Sequence, residues 1–151
     1  MSAIDNVHDA REIEDFYQRW GPDVFIFCRL FLGDEREAER IASRAFLAFY
    51  RHETALSVTG EVPSMLVGLA FKEMQPCQPD LISTFEPDPL RRSILSLDCR
   101  QRAVFIMRNV LAMSWAGVAN ATHWSVEEVR QYWTKGMLRV RELLPRDFFE
   151  R

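Results

Sequence analysis

A chain of 151 residues, 48% hydrophobic and 27% charged, has room for one ordinary domain or two small ones and the composition of a globular protein. Its formal net charge of -3 excludes a general affinity for polyanions. The charge is uneven, however: residues 1–80 carry 8 Lys+Arg against 14 Asp+Glu, whereas residues 97–144 carry 7 against 4, so only the second half suits nucleic acid.

Nearly every periodic segment predicts helix. "IEDFYQRW" sets Ile13, Phe16, Tyr17 and Trp20 on one face. Gly21-Pro22 is expected to bend or restart the chain, because proline is accepted in a first turn. "DVFIFCRLFL" continues with Val24, Phe27, Cys28, Phe31 and Leu32 facing inward, and Gly33 stops it. Asp34 with Glu37 offers the next helix an N-cap and a capping-box partner. That helix runs to about His52, with Ala38, Ile41, Ala42, Ala45, Phe46 and Phe49 inside. A looser piece spans Glu53 to Val62, and then comes a short apolar helix from about Ser64 to Met74.

Four prolines between Pro76 and Pro89 mark a linker, since each removes a backbone donor and disfavours helix before it. No strand alternation of useful length occurs. The expected fold is all-α, with two small helical domains (1–75 and 90–151) joined by a Pro-rich linker (76–89).

In the second domain "RQRAVFIMRNVL" puts Val104, Met107, Val110 and Leu111 on one face. Ser114 caps a short helix, Thr122-His123-Trp124 makes a turn, and Ser125 caps the final helix with Glu128 as its capping-box partner. Val126, Val129, Trp133, Gly136, Val140 and Leu143 recur three and four apart as the inner stripe of that helix. Glu127, Glu128, Arg130, Gln131, Thr134, Lys135 and Arg139 are left outside. Short helix, tight turn and longer helix make a helix-turn-helix.

The three cysteines, Cys28, Cys77 and Cys99, are widely spaced and form no CxxC. That pattern argues against a disulfide framework or a zinc cage and for a reducing cytoplasm, with Cys28 a buried structural thiol. His8, His52 and His123 share no ligand spacing, so neither metal nor cofactor is expected. The acidic N-terminus is not expected to act as a signal peptide, and "SMLVGLAF" (Ser64–Phe71) is too short to span a bilayer. No acid, base or nucleophile cluster stands at catalytic spacing, so an enzyme is not expected.

"FYQRWGPDVFIFCRLFLGDEREAERIASRAFLAFYRH" resembles the start of region 2 of the sigma-70 family. "LDCRQRAVFIMRNVLAMSWAGVANATHWSVEEVRQYWTKGMLRVRELL" resembles region 4 of the same family. The order and compactness are those of the short extracytoplasmic-function (ECF) sigma factors. Arg102, Leu111, Ser114, Val118-Ala119, Ser125-Val126, Val129-Arg130 and Leu143 carry the second match. The resemblance implies a subunit that binds core RNA polymerase and double-stranded promoter DNA. Its last helix would read the major groove through Ser125, Glu127, Arg130, Gln131, Thr134, Lys135 and Arg139.

The departures fall on the surfaces this role would use. Glu39, Arg40, Ser43 and Arg44 stand where the family docks on polymerase through an acidic-and-glutamine patch, and the two arginines reverse its sign. The expected promoter-melting stretch, "SMLVGLAFKEM", offers Met65, Gly68 and Phe71, with Lys72 as its only basic residue. Phe71 lies at helical spacing from Val67 and reads as core. Glu127 and Glu128 suit a helix N-terminus better than phosphate. These departures support a second reading, in which a sigma-like scaffold acts as a decoy for a protein such as an anti-sigma factor. A repressor built on another helix-turn-helix family would explain the second domain but not the first.

Overall fold

The computed structural model describes residues 3–53, 62–75 and 86–147, and all the secondary structure among them is helical. In chain order the helices are α1 (Ala3–Leu32), α2 (Glu35–Glu53), α3 (Val62–Glu73), α4 (Pro89–Leu95), α5 (Cys99–Phe105), α6 (Trp115–Thr122) and α7 (Val126–Leu143). A π-helical turn, Ile106–Val110, continues α5 directly. The looser piece expected after Glu53 and most of the linker, residues 54–61 and 76–85, lie outside the described residues.

α1 runs unbroken through Pro22, so the expected restart does not occur. Proline removes one backbone donor. The inner stripe on its C-terminal side, Val24, Phe27, Cys28 and Phe31, is fully packed and holds the helix together there. Gly33 ends it at φ 73°, a left-handed conformation that costs glycine nothing, and its N–H closes on the Arg29 carbonyl at 2.9 Å. Asp34 then caps α2 through the N–H groups of Arg36 (2.9 Å) and Glu37 (3.3 Å). The Glu37 carboxylate turns to Arg40 rather than back to Asp34, so the capping box expected there is not formed. All six inward residues expected in α2 are buried.

One core runs through both helical groups. α1, α2 and α3 pack on each other, α5 and α6 pack on α7, and α3 lies directly against α6 while α1 meets α4. Arg102 ties this contact. Its guanidinium is buried, donates to the carbonyls of Phe31 (2.8 Å), Leu95 (2.7 Å) and Leu97 (3.1 Å), and lies 5.1 Å from the centre of the Phe31 ring. One side chain from α5 thus satisfies carbonyls at the ends of α1 and α4.

Three stripe assignments need correction, the first being Tyr17 of α1, which is 52% exposed although its ring still touches Phe46. Val110 is 43% exposed and Leu111 only half-buried, because the π turn intervenes. The Leu111 N–H reaches back five residues to Ile106 (3.1 Å), and the wider turn rotates Val110 and Leu111 off the face set by Val104 and Met107. In α7, Val126 and Leu143 are exposed, and Val129, Gly136, Val140 and Leu144 form the buried line with Tyr132 and Trp133 at its edge. Val126 sits about 60° around the helix from Val129. The chain becomes extended at Leu144 (φ −76°, ψ 145°), which turns that residue inward in place of Leu143.

Cys28 is free and buried as expected, and burial pushes its thiol up to about 12. Cys99, by contrast, is disulfide-bonded. An odd cysteine count leaves room for one pair and a spare. The bond departs from the expectation, drawn from the spacing, that the cysteines build no disulfide framework. No helix among the described residues is long and apolar enough to cross a membrane.

Candidate nucleic-acid interface

The helix-turn-helix is assembled by local hydrogen bonds that its sequence dictates. Ser114 accepts from the Gly117 N–H at 2.9 Å and starts α6. His123 ends it in the left-handed region (φ 64°, ψ 19°), with its N–H on the Ala119 carbonyl at 2.8 Å. A histidine thus takes the conformation that glycine most readily adopts. The Thr122 hydroxyl donates to the Val118 carbonyl (2.8 Å) and accepts from the Trp124 N–H (3.3 Å), which stiffens the turn. Ser125 and Glu128 then close a complete capping box at the start of α7.

That box engages one of the residues expected to contact DNA, Ser125. The Ser125 hydroxyl accepts from the Glu128 N–H and donates to the Glu128 carboxylate, both at 3.1 Å. Its proton and one of its two lone pairs are engaged in holding the helix start. Glu128 is likewise turned toward Ser125, and its neighbour Glu127 is the acidic residue that faces outward in the first turn.

Beyond the box, Arg130, Gln131, Thr134, Lys135 and Arg139 all lie exposed on the outer side of α7. They are not equivalent. The Thr134 hydroxyl donates to the Arg130 carbonyl at 2.9 Å. Arg139 pairs with Glu142 at 3.5 Å, which offsets its charge. Arg130 lies 5.5 Å from the centre of the Trp115 ring. Leu138, 55% exposed, stands among them. Neither Leu138 nor the Trp115 contact was anticipated. Leu138 fell outside the inner stripe and so left a signal, whereas Trp115 meets Arg130 only through the fold.

On α2, Glu39, Arg40, Ser43 and Arg44 are all exposed. Arg40 is held by Glu37 at 2.7 Å, and this hydrogen bond keeps the Glu37 carboxyl below its ordinary range. Arg44 lies 3.7 Å from Glu73 of α3. Both arginines therefore face acidic neighbours within the chain.

α3 presents its stretch to the protein interior. Leu66, Val67 and Ala70 are buried and Phe71 is 8% exposed. The Phe71 ring meets Phe31 of α1 edge-on at 5.9 Å and Trp124 of the helix-turn-helix turn at 5.6 Å. Phe71 is core, as its spacing from Val67 indicated. Met65 and Lys72 remain on the outside. Among the described residues no group of His, Cys, Asp and Glu is placed to hold a metal ion.

No protein-family model matches the chain, and no curated protein matches it in sequence. Solved structures do match it in fold. The chain superposes on the sigma factor RpoE, solved in complex with the anti-sigma factor NepR from Bartonella quintana, with a TM-score of 0.71. The match covers 88% of this chain and 96% of that one at 11% identity, so what the two share is the all-helical sigma-factor fold.

Proposed function

We propose that this chain is a sigma-factor-like transcription protein that reads duplex DNA with the outer face of α7 and associates with core RNA polymerase. The observation that supports it most is the placement of Arg130, Gln131, Thr134 and Lys135 on the exposed side of a fully capped second helix in a helix-turn-helix. Such a face supplies cationic groups for phosphates and amide and hydroxyl groups for base edges. The domains proposed for these tasks remain those of the sequence, 1–75 and 90–151, joined by the linker 76–89. The test is a selection of binding sites from random duplex DNA with the full chain, beside a pull-down scored for polymerase subunits. Recovery of one enriched sequence together with polymerase supports the reading. Failure to enrich any duplex or recover polymerase sinks it.

A second reading, a decoy that holds a regulator of sigma factors, draws on different observations. Phe71 is sealed between Phe31 and Trp124, where no single-stranded base reaches it. Arg40 and Arg44, on the surface proposed for docking, lie against Glu37 and Glu73. Moreover, the similar RpoE structure holds an anti-sigma factor, which supports a partner of that kind for this chain. A pull-down that returns such a protein and no polymerase favours the decoy.

A further inference from the structure

Trp115 opens α6, and its ring is where the helix-turn-helix meets the preceding π turn. The Arg108 guanidinium lies 4.0 Å from the ring centroid, and its Nη1 donates to the Met113 carbonyl at 2.7 Å. Trp133 of α7 meets the ring edge-on at 5.5 Å, and its indole N–H donates to Asn109 at 3.3 Å. The Trp115 ring is therefore held from the π turn on one side and from α7 on the other. Arg130, exposed on the outer face of α7, rests its guanidinium 5.5 Å from that same ring.

We infer that Trp115 is a positioning residue for DNA recognition, a fixed aromatic platform that holds the Arg130 guanidinium ready for a phosphate or a guanine edge. This rests on the duplex-reading role proposed above. An arginine on an exposed helix samples many rotamers, and ordering it on binding costs affinity. A guanidinium held against an aromatic ring is attracted through the ring's π face, while its N–H donors point outward in their own plane. The contact with Trp115 thus restricts Arg130 without using the groups that would recognise DNA. No such contact is present for Gln131, Lys135 or Arg139 among the described residues, which singles out Arg130 as the pre-oriented cation of the face.

The experiment is a double-substitution cycle on the full chain, with a duplex selected by the wild-type protein. R130A and W115L are each expected to weaken Kd about three- to fivefold, and W115L on top of R130A to add less than about twofold. W115F keeps an aromatic face and is expected to recover most of the loss. A second readout needs no DNA: the Arg130 Nε–H resonance carries a ring-current shift in the wild type that W115L removes and W115F retains. That readout stands through W115F even where W115L fails to fold. Equal weakening by W115L with and without Arg130, or an unshifted Arg130 resonance in the wild type, overturns the positioning role alone. A wild-type chain that binds no duplex overturns the duplex reading beneath it.

Discussion

Replacing Gly68 by alanine tests whether the two helical groups are packed together in solution. In an ordinary helix interior this change stabilises by about 1 kcal/mol, because glycine loses the most backbone freedom on folding. Here a Cβ would sit 2.7 Å from the Ala121 carbonyl oxygen of α6, 3.1 Å from its Cα and 3.3 Å from its carbonyl carbon. All three atoms are backbone, so no rotamer change relieves the clash. α3 and α6 would have to separate by about 0.7 Å to restore an ordinary 3.4 Å contact, loosening Phe71 against Trp124 as they did so. Overpacking of this kind costs about 1–3 kcal/mol, which outweighs the propensity gain and leaves G68A roughly 1 kcal/mol less stable.

Gly136 provides the control. A Cβ there meets the Gln101 carbonyl oxygen at 3.5 Å, ordinary contact, so G136A is expected to be neutral or to gain up to about 1 kcal/mol. Urea denaturation of wild type, G68A and G136A measures both, and Tm should separate the variants by roughly 2–8 °C for a chain of this size. If G68A stabilises as G136A does, α3 and α6 do not touch in solution, and the sealing of Phe71 falls with that contact.

Other substitutions probe other parts of the same packing. R102M removes the donors that satisfy the carbonyls of Phe31, Leu95 and Leu97, and should cost about 3 kcal/mol in urea denaturation; a loss under about 1 would mean that Arg102 does not bridge the helical groups. H123G keeps the N–H to Ala119 and relieves a non-glycine residue at φ 64°, so Tm should rise with about 0.5–1 kcal/mol of added stability, and a fall would contradict the left-handed turn. The Cys28 thiol, raised from 9.0 to about 12, stays protonated in the folded chain while the unfolded chain ionises. Its contribution therefore vanishes below pH 9 and lowers stability as pH rises through the window up to about 12, by about 1.4 kcal/mol per pH unit. The stability of C28A should fall less steeply than that of wild type above pH 9, and parallel curves would rule out a buried protonated thiol.

Local rules accounted for much of the framework. The caps at Asp34, Ser114 and Ser125, the αL stops at Gly33 and His123, and the buried stripe of α2 each depend on residues within a turn or two of one another. Backbone geometry and helical periodicity act at that range, so such features are legible without a fold. The outer face of α7 was legible for the same reason: once Val129, Gly136 and Val140 are assigned inward, Arg130, Gln131, Thr134 and Lys135 have nowhere else to point.

Tertiary packing decided the rest, wherever the deciding partner is distant in the chain. α1 carries Pro22 without a break, against the local expectation, with a packed stripe beyond it. The π turn rotates Val110 to solvent through one additional residue that no periodic template contains. Arg40 stands three residues after Glu37, but Arg44 finds Glu73 only because α2 and α3 are neighbours. The same holds for Arg102 on Phe31, Gly68 under Ala121 and Arg130 beside Trp115. Which helices form, and which side of most of them turns inward, was set by the sequence alone, because those features depend on short-range sterics and periodicity. Which helices touch, and therefore which candidate residues are open to a partner and which are already engaged, was decided only when the chain closed into one core.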